Sequence, residues 1–162
     1  MSSIADGATG HEDGPVDAVW RSGQHLVTRE SIRHFAVAIG AMAKIHHDVA
    51  AAHAEGFRDL VAPPSYYSVM GLSLGRILPS ELLRPDGLPL SDELQGRAVA
   101  GESSIEWLGD IIAGDSVEFE ERFAGSYIAA GRSGPLNCYV YERTYAVESV
   151  VVVRERLTRI GR

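Results

Sequence analysis

Apolar residues in the first half of the chain recur at helical steps, and residues that start and stop helices stand between the runs. Gly23-Gln-His-Leu-Val-Thr28 reads as a short strand. Ile32, Phe35, Ala36 and Ile39 then fall on one face of a helix that is expected to lie on a sheet. Thr28 is placed to cap that helix, Glu30 stands in its first turn where the dipole favours an acid, and Gly40 ends it in a left-handed turn. Asp48 caps a second, short and mostly exposed helix, Val49 to Glu55, which Gly56 closes in the same way. In Leu60-Val-Ala-Pro-Pro-Ser65 the paired prolines forbid a strand interior but suit a loop that feeds the first turn of a helix. From Pro64 onward Tyr66, Tyr67, Val69, Met70, Leu72, Leu74, Ile77 and Leu78 cover nearly every side, the pattern of a helix buried by a wrapping sheet.

Beyond a proline-rich, acidic stretch from Pro79 to Glu93, read as a loop or insertion, the period changes from helical to alternating. Strands are expected over Arg97 to Trp107, Ser116 to Ala124, Cys138 to Ala146 and Val150 to Thr158. Ala113-Gly-Asp115 and Gly131-Arg-Ser-Gly-Pro135 supply turns between them. Val150 to Val153 is apolar at every position, as a central strand would be. A strand and helices followed by a run of antiparallel strands make an α+β fold.

Composition narrows the function classes. The chain has 162 residues, enough for one well-filled core, and residues 1–18 read as a flexible tail ahead of a single domain, 19–162. Its formal net charge of -7 provides no broad basic field for a phosphate backbone, so nucleic acid is not an expected partner. No apolar run approaches the length of a membrane span, and no basic, apolar leader opens the chain, so a soluble cytoplasmic protein is expected. Cys138 is the only cysteine, which excludes an internal disulfide and reads as core filler in a reducing compartment.

The element order is that of the hotdog fold, an antiparallel sheet wrapped around one long central helix. The motifs Val37-Ala-Ile-Gly40, Ile45-His-His-Asp48, Gly56-Phe-Arg-Asp-Leu-Val-Ala-Pro-Pro64, Ala113-Gly-Asp115 and Gly131-Arg-Ser-Gly134 together resemble the MaoC-like (R)-hydratases and dehydratases. More narrowly, they resemble the N-terminal FAS1-like dehydratase domains, whose signature includes a Val-Ala-Pro-Pro turn before the central helix. The similarity runs from about Gly23 to the C-terminus.

The resemblance implies reversible addition of water to the 2,3 double bond of an acyl group carried on coenzyme A or an acyl carrier protein, with no cofactor. In active members an Asp and a His hold the water, and a backbone N–H at the head of the central helix stabilises the thioester oxygen. His46 stands at the position of the His. The position of the Asp, five residues earlier, is Ala41, and the position of the N–H donor is Pro64, which has none, so Ser65 is the next candidate donor. Catalysis is therefore assigned to His46, and substrate binding to Pro64, Ser65, Tyr66, Tyr67 and Met70. Within the family, domains without the Asp–His pair serve as partners of a second hotdog chain that carries it. A homodimer or heterodimer with the pocket at the interface is expected, since a lone hotdog leaves a sheet edge open.

Blander and rival readings stay open. His46 and His47 suit an exposed loop pair equally well, and Tyr66, Tyr67 and Met70 suit plain core packing. A metal held by His46, His47 and His53 lacks completing acidic or sulfur ligands, so no metal is expected. Glu106 and Asp110 are candidates for a substitute carboxylate. Asp115 reads as a turn residue. A pocket reassigned to a specialised metabolite is the remaining alternative, because function belongs to sites rather than scaffolds.

Overall fold

The computed structural model describes residues 19–73 and 99–161. Strand β1 (Val19–Leu26) leads to α1 (Arg29–Ile39), a 3₁₀ turn at Lys44–His46, and α2 (Val49–Ala54). A second 3₁₀ turn, Pro64–Tyr66, runs into α3 (Tyr67–Ser73). The strands β2 (Val99–Trp107), β3 (Ser116–Gly131), β4 (Gly134–Val147) and β5 (Val150–Gly161) follow. All pairings are antiparallel, in the order β1-β3-β4-β5-β2. This is the α+β hotdog arrangement. Residues 1–18, the Pro79 to Glu93 stretch and Leu74, Ile77 and Leu78 lie outside the described residues.

The helix signals act where the sequence places them. The Thr28 hydroxyl accepts from Ser31 N–H while Ser31 Oγ accepts from Thr28 N–H, a reciprocal cap. Gly40 adopts φ 71°, and Ala41 N–H reaches back to the Ala36 carbonyl at 2.8 Å, the six-to-one bond of a Schellman ending. Asp48 caps α2 through Ala50 N–H at 2.8 Å. Ile32 and Ala36 are fully buried, but Ile39 is 49% exposed, so the inward face of α1 ends a turn before the helix does.

Strands β1, β3, β4 and β5 extend beyond the bounds their apolar pattern indicates, β3 the furthest, and β1 begins earlier and stops at Leu26 rather than Thr28. The alternation of β3 breaks at Gly125, where the pairing slips by a residue at a bulge with φ 132°, and the strand then continues to Gly131. Only Arg132 and Ser133 lie between Gly131 and Gly134, so the hairpin is tighter than a five-residue turn. β5 lies between β4 and β2, but its pairing with β4 slips at Val152, so consecutive Val152 and Val153 both turn into the same core cluster while Val150 is 65% exposed; the apolar run reflects a bulge rather than burial on both faces. Cys138 is buried in β4. No helix among the described residues is long and apolar enough to cross a membrane.

The inner face of the sheet carries two apolar clusters. One gathers Tyr66, Tyr67 and Met70 of the helical segment against Phe119, Tyr145 and Val153, and the other holds Phe123, Tyr141 and Leu157. Between them runs a charged row. Glu121, Arg143 and Glu155 stand directly opposite one another on β3, β4 and β5, so a single face of the pleat joins them. Arg143 Nε pairs with Glu121, and its Nη1 reaches Glu155 at 3.2 Å. Glu121 is 1% exposed and Glu155 8%.

Removing one member of a buried ionic row strands its partners, whereas replacing the whole row by apolar residues does not. Arg143→Met is therefore expected to lose about 3–5 kcal/mol. The triple variant Glu121→Leu/Arg143→Met/Glu155→Leu should return close to the parent. Urea midpoints at constant m-value measure both; a single variant as stable as the parent would show that the row is not buried in solution.

Candidate functional site

Three stretches distant in sequence meet at the loop before α3. The Schellman ending at Gly40 turns the chain so that the Ala41 carbonyl accepts from His47 Nε2 at 2.7 Å. The following 3₁₀ turn brings His46 inward, 8% exposed, with its Nδ1 2.7 Å from the Val61 carbonyl. A carbonyl only accepts, so His46 carries a hydrogen on Nδ1, which leaves Nε2 as the nitrogen that bears the lone pair whenever the ring is neutral. Val61 N–H in turn donates to the Ile45 carbonyl at 3.1 Å. The backbone of Val61, through its N–H and its C=O, thus holds the histidine turn at two points.

On its other side Val61 forms an antiparallel bridge to Ile112. Ala62 N–H bonds the Ile111 carbonyl at 2.8 Å, and Ala113 N–H bonds Leu60 at 2.9 Å. Asp115, the expected turn residue, accepts from Ile112 N–H at 2.7 Å and from Arg58. Arg29 of α1 grips Asp59 in a bidentate pair at 2.8–3.0 Å, and that guanidinium holds the Asp59 carboxyl below the usual carboxylate range. The loop therefore reaches the head of α3 as a pinned, extended segment.

At that head, Pro63 is buried while Pro64 and Ser65 are exposed. Pro64 opens the 3₁₀ turn and has no N–H, so Ser65 N–H is the first donor the helical segment presents. The Pro64 carbonyl accepts from Trp107 Nε1 at 3.0 Å. The Trp107 ring also meets Tyr67 edge-on at 6.4 Å, and Tyr67 meets Tyr145 at 5.6 Å. Nothing in the strand pattern of Val99 to Trp107 indicated this long-range role. An aromatic at the end of an exposed strand was the only available signal.

Tyr66, Tyr67 and Met70 are buried, at 1%, 9% and 0% exposure. The Tyr66 hydroxyl lies 2.7 Å from Ser31 Oγ and 3.2 Å from His25 Nε2. Ser31 gives its own hydrogen to the Thr28 carbonyl at 2.9 Å. Tyr66 must then donate to Ser31 and accept from His25, which fixes the hydrogen of His25 on Nε2. This chain of bonds ties β1 and the cap of α1 to the helix head.

The described contacts join His46 to the segment through Val61 rather than through Pro64 to Met70. The third histidine weighed as a ligand, His53, lies 3.0 Å from the Arg58 carbonyl. Glu106 is on the outer face of the sheet, 3.2 Å from Arg154, and so does not replace the absent Asp beside His46. Asp110 lines a groove of about 750 Å³ with Gln24, Arg58, Asp115, Glu118 and Glu148, away from the histidine turn.

A family model described as the FAS1-like dehydratase domain region matches residues 18–156. A UPF0336 protein of Clavibacter michiganensis is 35% identical over 95 residues, which are 57% of this chain and 58% of that protein. Another, from a Parafrankia species, is 35% identical over 111 residues, 66% of each chain. The match thus spans rather more than half the length of these relatives. Among solved structures, the ChsH1-ChsH2 complex from Mycobacterium tuberculosis aligns with TM-score 0.65 at 19% identity, over 86% of this chain and 82% of that one. The HadBC (3R)-hydroxyacyl-ACP dehydratase complex of the same organism gives 0.65 and 19%, over 86% and 90%. A MaoC-like dehydratase from Rhodospirillum rubrum gives 0.62 and 20%, over 91% and 97%. These likenesses establish the fold.

Burial holds the His25 imidazole below its ordinary value. The unfolded chain takes up that proton near about pH 6.5, and the folded chain only at lower pH. The stability linked to His25 is therefore intact above that range and is lost as pH falls through the folded value. Urea midpoints should decline on acidification from about pH 7 to about pH 5, and less steeply in His25→Gln, which keeps a donor for Tyr66 but does not titrate. Equal slopes for the two proteins would remove His25 from the account.

Proposed function

Because the chain belongs to the FAS1-like dehydratase family, we propose that it is one half of a MaoC-type hydratase or dehydratase acting on enoyl and 3-hydroxyacyl thioesters of coenzyme A or an acyl carrier protein. In this reading it shapes the acyl site while a second hotdog chain brings the Asp–His pair. The carrying observation is at Ala41. Its side chain has no carboxylate, its carbonyl is engaged by His47, and neither acid weighed as a substitute lies beside His46. Pro64 adds a second loss, because removing one oxyanion donor costs roughly 10²–10³-fold in turnover.

The open side of β2 supports a partner. Among the described residues this strand ends the sheet, and it is exposed at eight of nine positions, on the inner as well as the outer face. A two-sided exposed edge is a template for another strand. A bulge between Ala100 and Ser103 divides its pairing with β5 into Ser103–Trp107 and a short continuation at Val99 and Ala100. Two of the similar folds were solved as complexes, ChsH1-ChsH2 and HadBC, which agrees with a paired assembly. The buried Cys138 suits a reducing cytoplasm.

One observation favours a second reading, in which the chain is itself a hydratase. The Val61 carbonyl sets the His46 tautomer so that Nε2 is available as a base. The readings separate in one experiment. The purified chain, alone and mixed with MaoC-type chains from the same genome that keep the Asp five residues before the His, is assayed with crotonyl-CoA and a longer enoyl-CoA at the thioester-enone absorbance. The partner reading expects no turnover alone, turnover in one mixture, and a His46→Ala change within about twofold, well below the 10²–10⁴-fold typical of losing a general base. Turnover by the chain alone that His46→Ala abolishes would establish the second reading instead.

A further inference from the structure

Trp107 occupies two places at once. It is the last residue of β2, at one edge of the sheet formed by the described residues, and its indole N–H holds the Pro64 carbonyl at 3.0 Å. That carbonyl belongs to the peptide whose nitrogen is Ser65 N–H, since a peptide unit is planar and its C=O and N–H point in opposite directions. Fixing the Pro64 oxygen therefore fixes the direction in which Ser65 N–H points. Because Pro64 has no hydrogen to offer, this is the first donor at the helix head, and its aim rests on a side chain from another element.

Among the described residues a single aromatic ring braces the indole. Tyr67 meets it edge-on and is itself set against Tyr145, yet Trp107 remains 50% exposed. A strand pairing with β2 would run about 4.8 Å away, with side chains opposite Trp107 at about 4.5–5.5 Å between Cβ atoms. It would cover the free half of the indole.

We infer that Trp107 is a positioning residue that couples docking of a partner hotdog strand on β2 to the aim of the Ser65 amide. The inference rests on the partner reading above and adds how the partner's arrival is transmitted to the site. An undocked indole, braced by one ring, lets the Pro64–Ser65 peptide rock. A docked one holds the amide toward the thioester oxygen, where misplacement by about 1 Å costs on the order of 10²-fold in rate.

The test uses the full chain labelled with 5-fluorotryptophan, whose two resonances come from Trp20 and Trp107, the latter assigned through Trp107→Phe. The probe is the unlabelled Asp–His-bearing chain that restores turnover in the mixing experiment. Its addition is expected to shift and sharpen the Trp107 resonance. Trp107→Phe keeps a ring against Tyr67 but loses the N–H. In the two-chain enzyme it is expected to lower kcat about tenfold or more with KM within about twofold, while size-exclusion chromatography still shows the complex. Trp107→Ala, which loses the ring as well, should also weaken the complex.

A complex that forms with the Trp107 resonance unmoved, and with kcat of Trp107→Phe equal to the parent, overturns the inference and leaves the partner reading standing. Failure of every Asp–His-bearing chain to form a complex overturns both. Loss of folding in Trp107→Phe, read from far-ultraviolet circular dichroism, would make the residue structural and also overturn the inference.

Discussion

The site depends on the backbone of Val61. Its N–H and C=O clamp the histidine turn through Ile45 and His46, and the same residue is bridged to Ile112. Each such bond contributes only about 1 kcal/mol net, but Val61 is 4% exposed, and a buried peptide group left without a partner costs about 1–3 kcal/mol. The loop therefore has little freedom to leave this place without disrupting two others. Pro63 and Pro64 add a covalent restriction: Pro63 is extended, as the residue before a proline must be, and the fixed φ of Pro64 suits the first turn that follows.

Local signals were legible where a residue's own chemistry dictates its conformation. Thr28, Asp48, Gly40 and the paired prolines each act within a few residues, and each element begins or ends where they stand. The alternation in Val117-Glu-Phe-Glu-Glu-Arg-Phe123 was legible for the same reason. What it hid was that the inward series continues through Glu121, because a buried acid looks like an ordinary polar position until its partners are known. Those partners, Arg143 and Glu155, lie on other strands. The continuation of β3 past Gly125 was hidden too, since a bulge reverses which residues face inward and so erases the period.

The site was legible to the same depth. Position 46 and the Val-Ala-Pro-Pro turn stand out as local patterns, but the Val61 clamp, the His25–Tyr66–Ser31 chain and the Trp107 bond all span long sequence distances. The turns that bring those groups together carry no signal of what they will meet. Tyr66 is the clearest example. Its spacing identifies a buried face, and only the structure reveals that its hydroxyl completes a directed chain from β1 to the cap of α1.

Chemistry and shape diverge in this chain. The turn that would aim a carboxylate from position 41 is intact, with the Schellman ending before it and His47 holding its carbonyl, yet the side chain there is a methyl group. The helix head is likewise held at both ends of its loop, yet its first residue has no N–H. The structure thus holds the shape of the turn and of the helix head without the acid and the first N–H that the resemblance assigns to them, which is the ground for proposing that a second chain completes the chemistry.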